Sequence, residues 1–106
     1  MQIRTYPAIV KKWVDGDTAD LTVDLGYKLY AVVRFRLAGI NTPEKGKEGY
    51  AEATNYALEL APIGSAVTVE CSGYDKYGRW VADIISGEVN VNEALLDKGL
   101  AEVYIE

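Results

Sequence analysis

Four short segments concentrate the side chains that could do chemistry in this 106-residue chain. Asp15-Gly16-Asp17-Thr18 brings two carboxylates together, and Arg34 and Arg36 stand two residues apart. Asn41-Thr42-Pro43-Glu44 offers three oxygen-bearing side chains, and Asp75-Lys76-Tyr77-Gly78-Arg79 adds two cations and a tyrosine. Each segment has a plain alternative: a polar hairpin turn, a solvated strand face, a loop, a charged turn. An EF-hand reading of the first segment fails, because Asp20 stands where that loop needs glycine and Gly26 where it needs its last carboxylate. Taken together they read differently. Oxygen donors from loops suit a hard cation such as Ca²⁺, guanidinium groups pair with phosphate in bidentate fashion, and a carboxylate can serve as base. That is a consistent set for phosphodiester hydrolysis. The chain has no histidine, which excludes Ser-His-Asp and Cys-His catalysis and HExxH zinc sites. GxSxG, GxGxxG and Walker motifs are also missing.

The elements that must position these groups follow from periodicity. Tyr6 to Val14 reads as a strand, Asp15-Gly16 as a hairpin turn, and Thr18 to Leu25 as a strand with Ala19, Leu21, Val23 and Leu25 on one face. Asp17 shares the parity of Ala19 and Leu21, so its carboxylate should lean inward, where it needs a cation or donors. Lys28 to Ala38 predicts a third strand, with Ala31, Val33, Phe35 and Leu37 facing in and Tyr30, Val32, Arg34 and Arg36 facing out. Tyr50 to Ala61 has helical spacing and stops before Pro62 and Gly64. Ala66 to Ser72 and Trp80 to Ile85 predict two further strands, the first carrying Cys71 on the face of Val67 and Val69 as a buried, unreactive thiol. Asn90 and Glu93 fit the N-cap and N3 positions of a short second helix ending at Gly99, and Ala101 to Ile105 a last short strand. The fold class is mainly β (α+β): a five-stranded OB-type barrel with a helix between strands 3 and 4 and a short second helix near the C-terminus.

Length predicts a single domain over residues 1–106. One cysteine rules out a disulfide framework, and no apolar run is long enough for a membrane span. The start lacks the apolar stretch of a signal peptide, so the expected location is the cytoplasm, or outside the cell if a leader was removed. A net charge of −5 argues mildly against nucleic-acid binding. The cations nevertheless fall in clusters that could set a local field: Lys11 and Lys12, Arg34 and Arg36, Lys45 and Lys47, Lys76 and Arg79.

The series DGDT (Asp15 to Thr18), FRL (Phe35 to Leu37), NTPE (Asn41 to Glu44), DKYGR (Asp75 to Arg79) and VNEAL (Val91 to Leu95) resembles the staphylococcal nuclease-like domains, in order and approximate spacing, over almost the whole chain. The resemblance implies an OB barrel with a site at its rim. It implies Asp17, Asn41 and Thr42 (through its backbone carbonyl) as ligands of Ca²⁺, and Glu44 as the base that activates or positions water. Arg36 and Arg79 are implied as the phosphate-binding, charge-stabilising pair, and Lys76 and Tyr77 as groups near the substrate's terminal phosphate. Two departures stand out. Asn41 occupies the place of a metal-ligating aspartate, which removes one negative charge. The loop after Glu44 is short, the family's C-terminal helix has no counterpart in these residues, and Ile105 stands at or near a substrate-contacting tyrosine, with Tyr104 a candidate replacement. The implied function is a Ca²⁺-dependent nuclease acting on single-stranded DNA or RNA, expected as a monomer. The competing reading is a catalytically weak or inactive OB module that binds nucleic acid or a protein partner.

Overall fold

A computed structural model describes residues 3–105. Strand β1 (Arg4–Asp15) is long because it serves two partners. Its first half pairs with β5 (Ala66–Tyr74) and its second with β2 (Thr18–Asp24), both antiparallel. Irregularities between Val10 and Lys12 and between Trp13 and Asp15 bend it, as bulges do. Strand β2 pairs with β3 (Tyr30–Leu37), and β5 with β6 (Trp80–Ser86). A parallel β3–β6 contact closes the five strands into a barrel, but it spans only Phe35–Leu37 against Trp80–Ala82. One end of the barrel is therefore sealed by strand pairing and the other left as a mouth.

The interior follows the alternation seen in sequence. Ala19, Leu21, Val23, Phe35, Leu37, Val67, Val69, Ala82 and Ile84 are buried together. Side chains at the mouth depart from it, and Ala31 and Val33 are only half-buried. Leu25 is 46% exposed, because β2 ends at Asp24 and Leu25 lies past the mouth. Cys71 is only half-buried, not the sealed core thiol expected, because an irregularity between Cys71 and Gly73 carries β5 out along the same mouth. The β2–β3 connection also holds a feature the sequence did not announce: Tyr27 and Lys28 both take positive φ, at 56° and 61°.

Helix α1 (Tyr50–Leu60) packs the fully buried Ala53 and Ala57 onto the barrel, and Trp13 Nε1 donates to the Ala61 carbonyl at 2.9 Å. Helix α2 (Val91–Asp97) is capped as expected, with Asn90 Oδ1 accepting from the Glu93 N–H at 3.1 Å. The short strands β4 (Ile40–Asn41) and β8 (Glu102–Val103) pair with one another, and β7 (Val89–Asn90) adds to β6. The element order is thus the expected one: an OB-type barrel with a helix inserted before its fourth strand and a short helix near the C-terminus.

Candidate active site

The hairpin between β1 and β2 sets the first group. Its two turn residues are Gly16 and Asp17, one position later than the Asp15-Gly16 reading. Gly16 is required here by space and not by φ. A Cβ on it would stand 3.0 Å from the Ala53 Cβ and 3.1 Å from the Thr42 side chain, so only glycine lets helix α1 and the Thr42 loop press against this turn. The Asp17 carbonyl accepts from the Leu37 N–H at 2.8 Å, which fixes the turn to β3. Asp17 is buried, as its parity predicted, and its Oδ2 accepts from the Thr42 N–H at 2.9 Å and stands 3.5 Å from Arg36 Nη2.

Two ties hold the loop that carries Asn41 to Glu44. Buried Asn92, on α2, donates through Nδ2 to the carbonyls of Ala38 at 3.0 Å and Ala82 at 3.2 Å, and its Oδ1 accepts from the Ile84 N–H at 3.3 Å. The β4–β8 pair and the Tyr104 N–H to Gly39 carbonyl bond, at 2.9 Å, hold the far side. The VNEAL segment thus acts at a distance: its asparagine anchors the chain just where it leaves β3 for the site.

Arg36 lies at the end of β3, buried despite being on the outward face, because the Asn41 loop and Tyr104 cover it. Its Nη1 donates to the Leu37 carbonyl at 3.1 Å, its Nη2 to Asn41 Oδ1 at 2.8 Å, and its Cζ sits 5.5 Å from the centre of the Tyr104 ring. Arg79 comes from the β5–β6 hairpin and is held by Asp75, whose side chain is 1% exposed. Asp75 Oδ2 accepts from Arg79 Nε at 2.5 Å, and Oδ1 from the backbone N–H groups of Tyr77 and Arg79, both at 2.9 Å. Burial alone would raise the Asp75 carboxyl, but these donors outweigh it and hold it below the ordinary carboxylate range. The carboxylate therefore holds Arg79 by its Nε edge, and Arg79 lines the cavity.

These groups converge. One cleft of about 270 Å³ is lined by Asp17, Arg36, Asn41, Thr42, Glu44 and Arg79, together with Asp15, Thr18, Pro43 and Tyr104. Of the residues the sequence singled out, Lys76 and Tyr77 stay on the exposed hairpin outside this lining, where the Tyr77 ring lies 5.4 Å from Lys76 Nζ and 5.1 Å from Arg79 Cζ. Two contributors, Asp75 and Asp15, had no assigned role from sequence, and Tyr104 was named only as a candidate replacement. Asp75 had a signal, its four-residue spacing to Arg79. Asp15 had one in its place beside Asp17. Tyr104 had only its nearness to a missing tyrosine.

Asp15 and Asp17 share a strained electrostatic position. Burial, then the hydrogen bond and charge of Asp17, push the Asp15 carboxyl up to about 6. Burial works against ionisation of Asp17 too, but hydrogen bonds from Asp15 and the Thr42 N–H and the charge of Arg36 overcome it and keep Asp17 ionised. A carboxylate pair that holds on to a proton is one that a cation would relieve. Thr42 Oγ1 is buried with no hydrogen-bond partner among the described residues. No three carboxylate, cysteine or histidine side chains gather at one point among the described residues. The donors available are thus all oxygen, two of them charged, and they suit a hard cation that completes its shell with amide, carbonyl and water oxygens.

A small closed barrel with two arginines and a carboxylate pair at its rim defines an OB-type domain with a charged rim cleft. The chain belongs to the staphylococcal nuclease homologue family, whose model matches residues 34–106. It is 32% identical to an uncharacterised 38.1 kDa protein of Capnoides sempervirens over 114 aligned residues, covering 97% of this chain and 33% of that protein. It is also 38% identical to the staphylococcal-like nuclease CAN1 of Arabidopsis thaliana over 72 residues, covering 68% of this chain and 22% of the relative. A probable staphylococcal-like nuclease CAN1 of Oryza sativa subsp. japonica is 38% identical over 71 residues, 67% of this chain and 21% of the relative. The chain spans about a third or less of the length of these relatives.

Proposed function

We propose that this domain is a metal-dependent nuclease that hydrolyses phosphodiester bonds of single-stranded DNA or RNA. The observation that carries the reading is the meeting of Arg36, Arg79 and Glu44 with the Asp15–Asp17 pair in one cleft. Asp17 and Asp15, the Asn41 amide and the Thr42 carbonyl would hold Ca²⁺. When bound, the cation neutralises phosphate charge and makes water more acidic. Arg36 and Arg79 grip the scissile phosphate and stabilise the charge that grows on its oxygens as water adds. Glu44, exposed beside the cleft, accepts the proton from the attacking water. Asp75 keeps Arg79 aimed, and Tyr104 packs beside Arg36. The products are two shorter strands, one ending in a phosphate.

A second reading rests on Asn41. Its amide lies on Arg36 and supplies no charge to the cation, which suits a module that binds strands and cuts them slowly or not at all. Single-turnover cleavage separates the two. Arg79→Ala should slow cutting by about a hundredfold or more, the scale of losing one transition-state donor, while altering strand binding little. If Arg79→Ala and Glu44→Gln both leave the rate unchanged, the catalytic assignment is wrong.

A further inference from the structure

Beside the cleft, the open mouth of the barrel forms a second, larger cavity of about 750 Å³, walled by Tyr6, Val33, Phe35 and a stacked aromatic pair. The pair is Tyr74 and Trp80, directly opposite one another on β5 and β6, with ring centres 3.6 Å apart and planes inclined by 25°. Stacked rings across two strands are common packing. Here, however, they cover no core. Tyr74 is 60% exposed and Trp80 37% exposed, so a broad aromatic surface faces solvent.

The mouth is continuous with the catalytic cleft. A groove over the outer side of β3 runs between them, sharing Arg36 and Arg79 with the cleft and Val33 and Trp80 with the mouth. Its charge is unlike that of the molecule. The chain carries −5, yet no Asp or Glu lines the groove or the mouth among the described residues, whereas Arg4, Arg34, Arg36 and Arg79 do. Arg34 is partly neutralised by Asp20, 2.7 Å from its Nε, but its side chain is still 60% exposed. A run of arginines beside exposed aromatic faces matches what a single strand presents: phosphates along one edge, bases along the other. An apolar peptide would find the aromatics but gain nothing from the arginines.

We infer that Tyr74 and Trp80 form a base-stacking subsite, which takes one or two bases of a single strand whose scissile phosphate lies between Arg36 and Arg79. This rests on the nuclease reading for the position of that phosphate. The β3 groove carries the intervening backbone past Arg34. Substrates too short to reach the mouth gain nothing from it, so the subsite sets a preference for longer single strands over dinucleotides.

Trp80 also supplies the probe. Trp13 is 6% exposed, so quenching of tryptophan fluorescence by a strand reports on Trp80. The Glu44→Gln chain in Ca²⁺ should show saturable quenching with an oligothymidylate of about a dozen nucleotides. Trp80→Ala in that background should weaken binding about tenfold, followed by labelled strand, and Trp80→Phe should retain most of it. In the parent background Trp80→Ala should raise KM for the long strand about tenfold and leave kcat/KM for a dinucleotide within about twofold. Equal loss on both substrates, or no quenching, overturns the subsite. Quenching without cleavage by the parent chain would sustain the subsite and sink the nuclease reading, and cleavage without quenching would do the reverse. Quenching by an apolar peptide and not by the oligonucleotide would show that the mouth serves a protein instead.

Discussion

Arg36 and Arg79 reach the cleft by different means, and the difference decides how each can be perturbed. Arg36 is buried and tied to Leu37, Asn41 and Asp17, whereas Arg79 is 45% exposed in its side chain and depends on Asp75 for its direction. Asp75→Asn keeps the shape but removes the charge, and should cost about tenfold in cleavage rate by loosening Arg79, with little loss of substrate affinity. Single-turnover rates on a short oligonucleotide check this. Asn41→Asp adds a third carboxylate to Asp15 and Asp17, where Arg36 Nη2 now lies 2.8 Å from the amide oxygen. Arg36 neutralises part of the added charge, so Ca²⁺ binding should tighten by about fivefold, or on the order of 1 kcal/mol. Calorimetric titration measures it, and unchanged affinity would place Asn41 outside the metal shell. Asp15 gives a pH signature. With its carboxyl raised to about 6, the folded chain binds a proton there that the unfolded chain releases near pH 4. The associated stability is full below about pH 4 and is lost as pH rises through about 6. Asp15→Asn should therefore raise Tm in EDTA at about pH 7.5 and leave it unchanged near pH 3.5, as thermal melts at both values would show.

At the scale of elements, the site is a joint between the β1–β2 turn, the end of β3, the Asn41 loop and the β5–β6 hairpin. Gly16 is the tightest point of that joint. Gly16→Ala forces a methyl to within 3.0 Å of Ala53, on a helix that cannot retreat without unpacking Ala57 as well. The expected cost is about 1–3 kcal/mol, measured by denaturant unfolding, with a fall in activity from displaced Asp17. Much of this was legible before the fold was known. The inward parity of Asp17, the inner faces of β2 and β3 away from the mouth, the helix stripe of Ala53 and Ala57 and the Asn90 cap follow from local pattern, and these are present. What was not legible depends on contacts between distant segments. Nothing local marks Asn92 as the tie between Ala38 and Ile84, or shows that β3 and β6 meet over three residues only. The open mouth follows from that short closure and the half-exposure of Cys71 from the irregularity after it, neither of which periodicity can express.

On the scale of the whole molecule, charge is distributed against its sum. The chain is acidic at −5, yet three of its four arginines, Arg34, Arg36 and Arg79, line the cleft and the β3 groove, where a polyanion would pass. Binding of a single strand should accordingly weaken as salt rises, because a few contacts are to phosphates. The measurement that tests the account most directly is cleavage of end-labelled single-stranded DNA by the purified chain across a Ca²⁺ titration, with EDTA as the control. The account predicts shorter phosphorylated products that appear with Ca²⁺, saturate as it rises and vanish in EDTA. Intact DNA at every Ca²⁺ concentration, or cutting that EDTA leaves untouched, would contradict it.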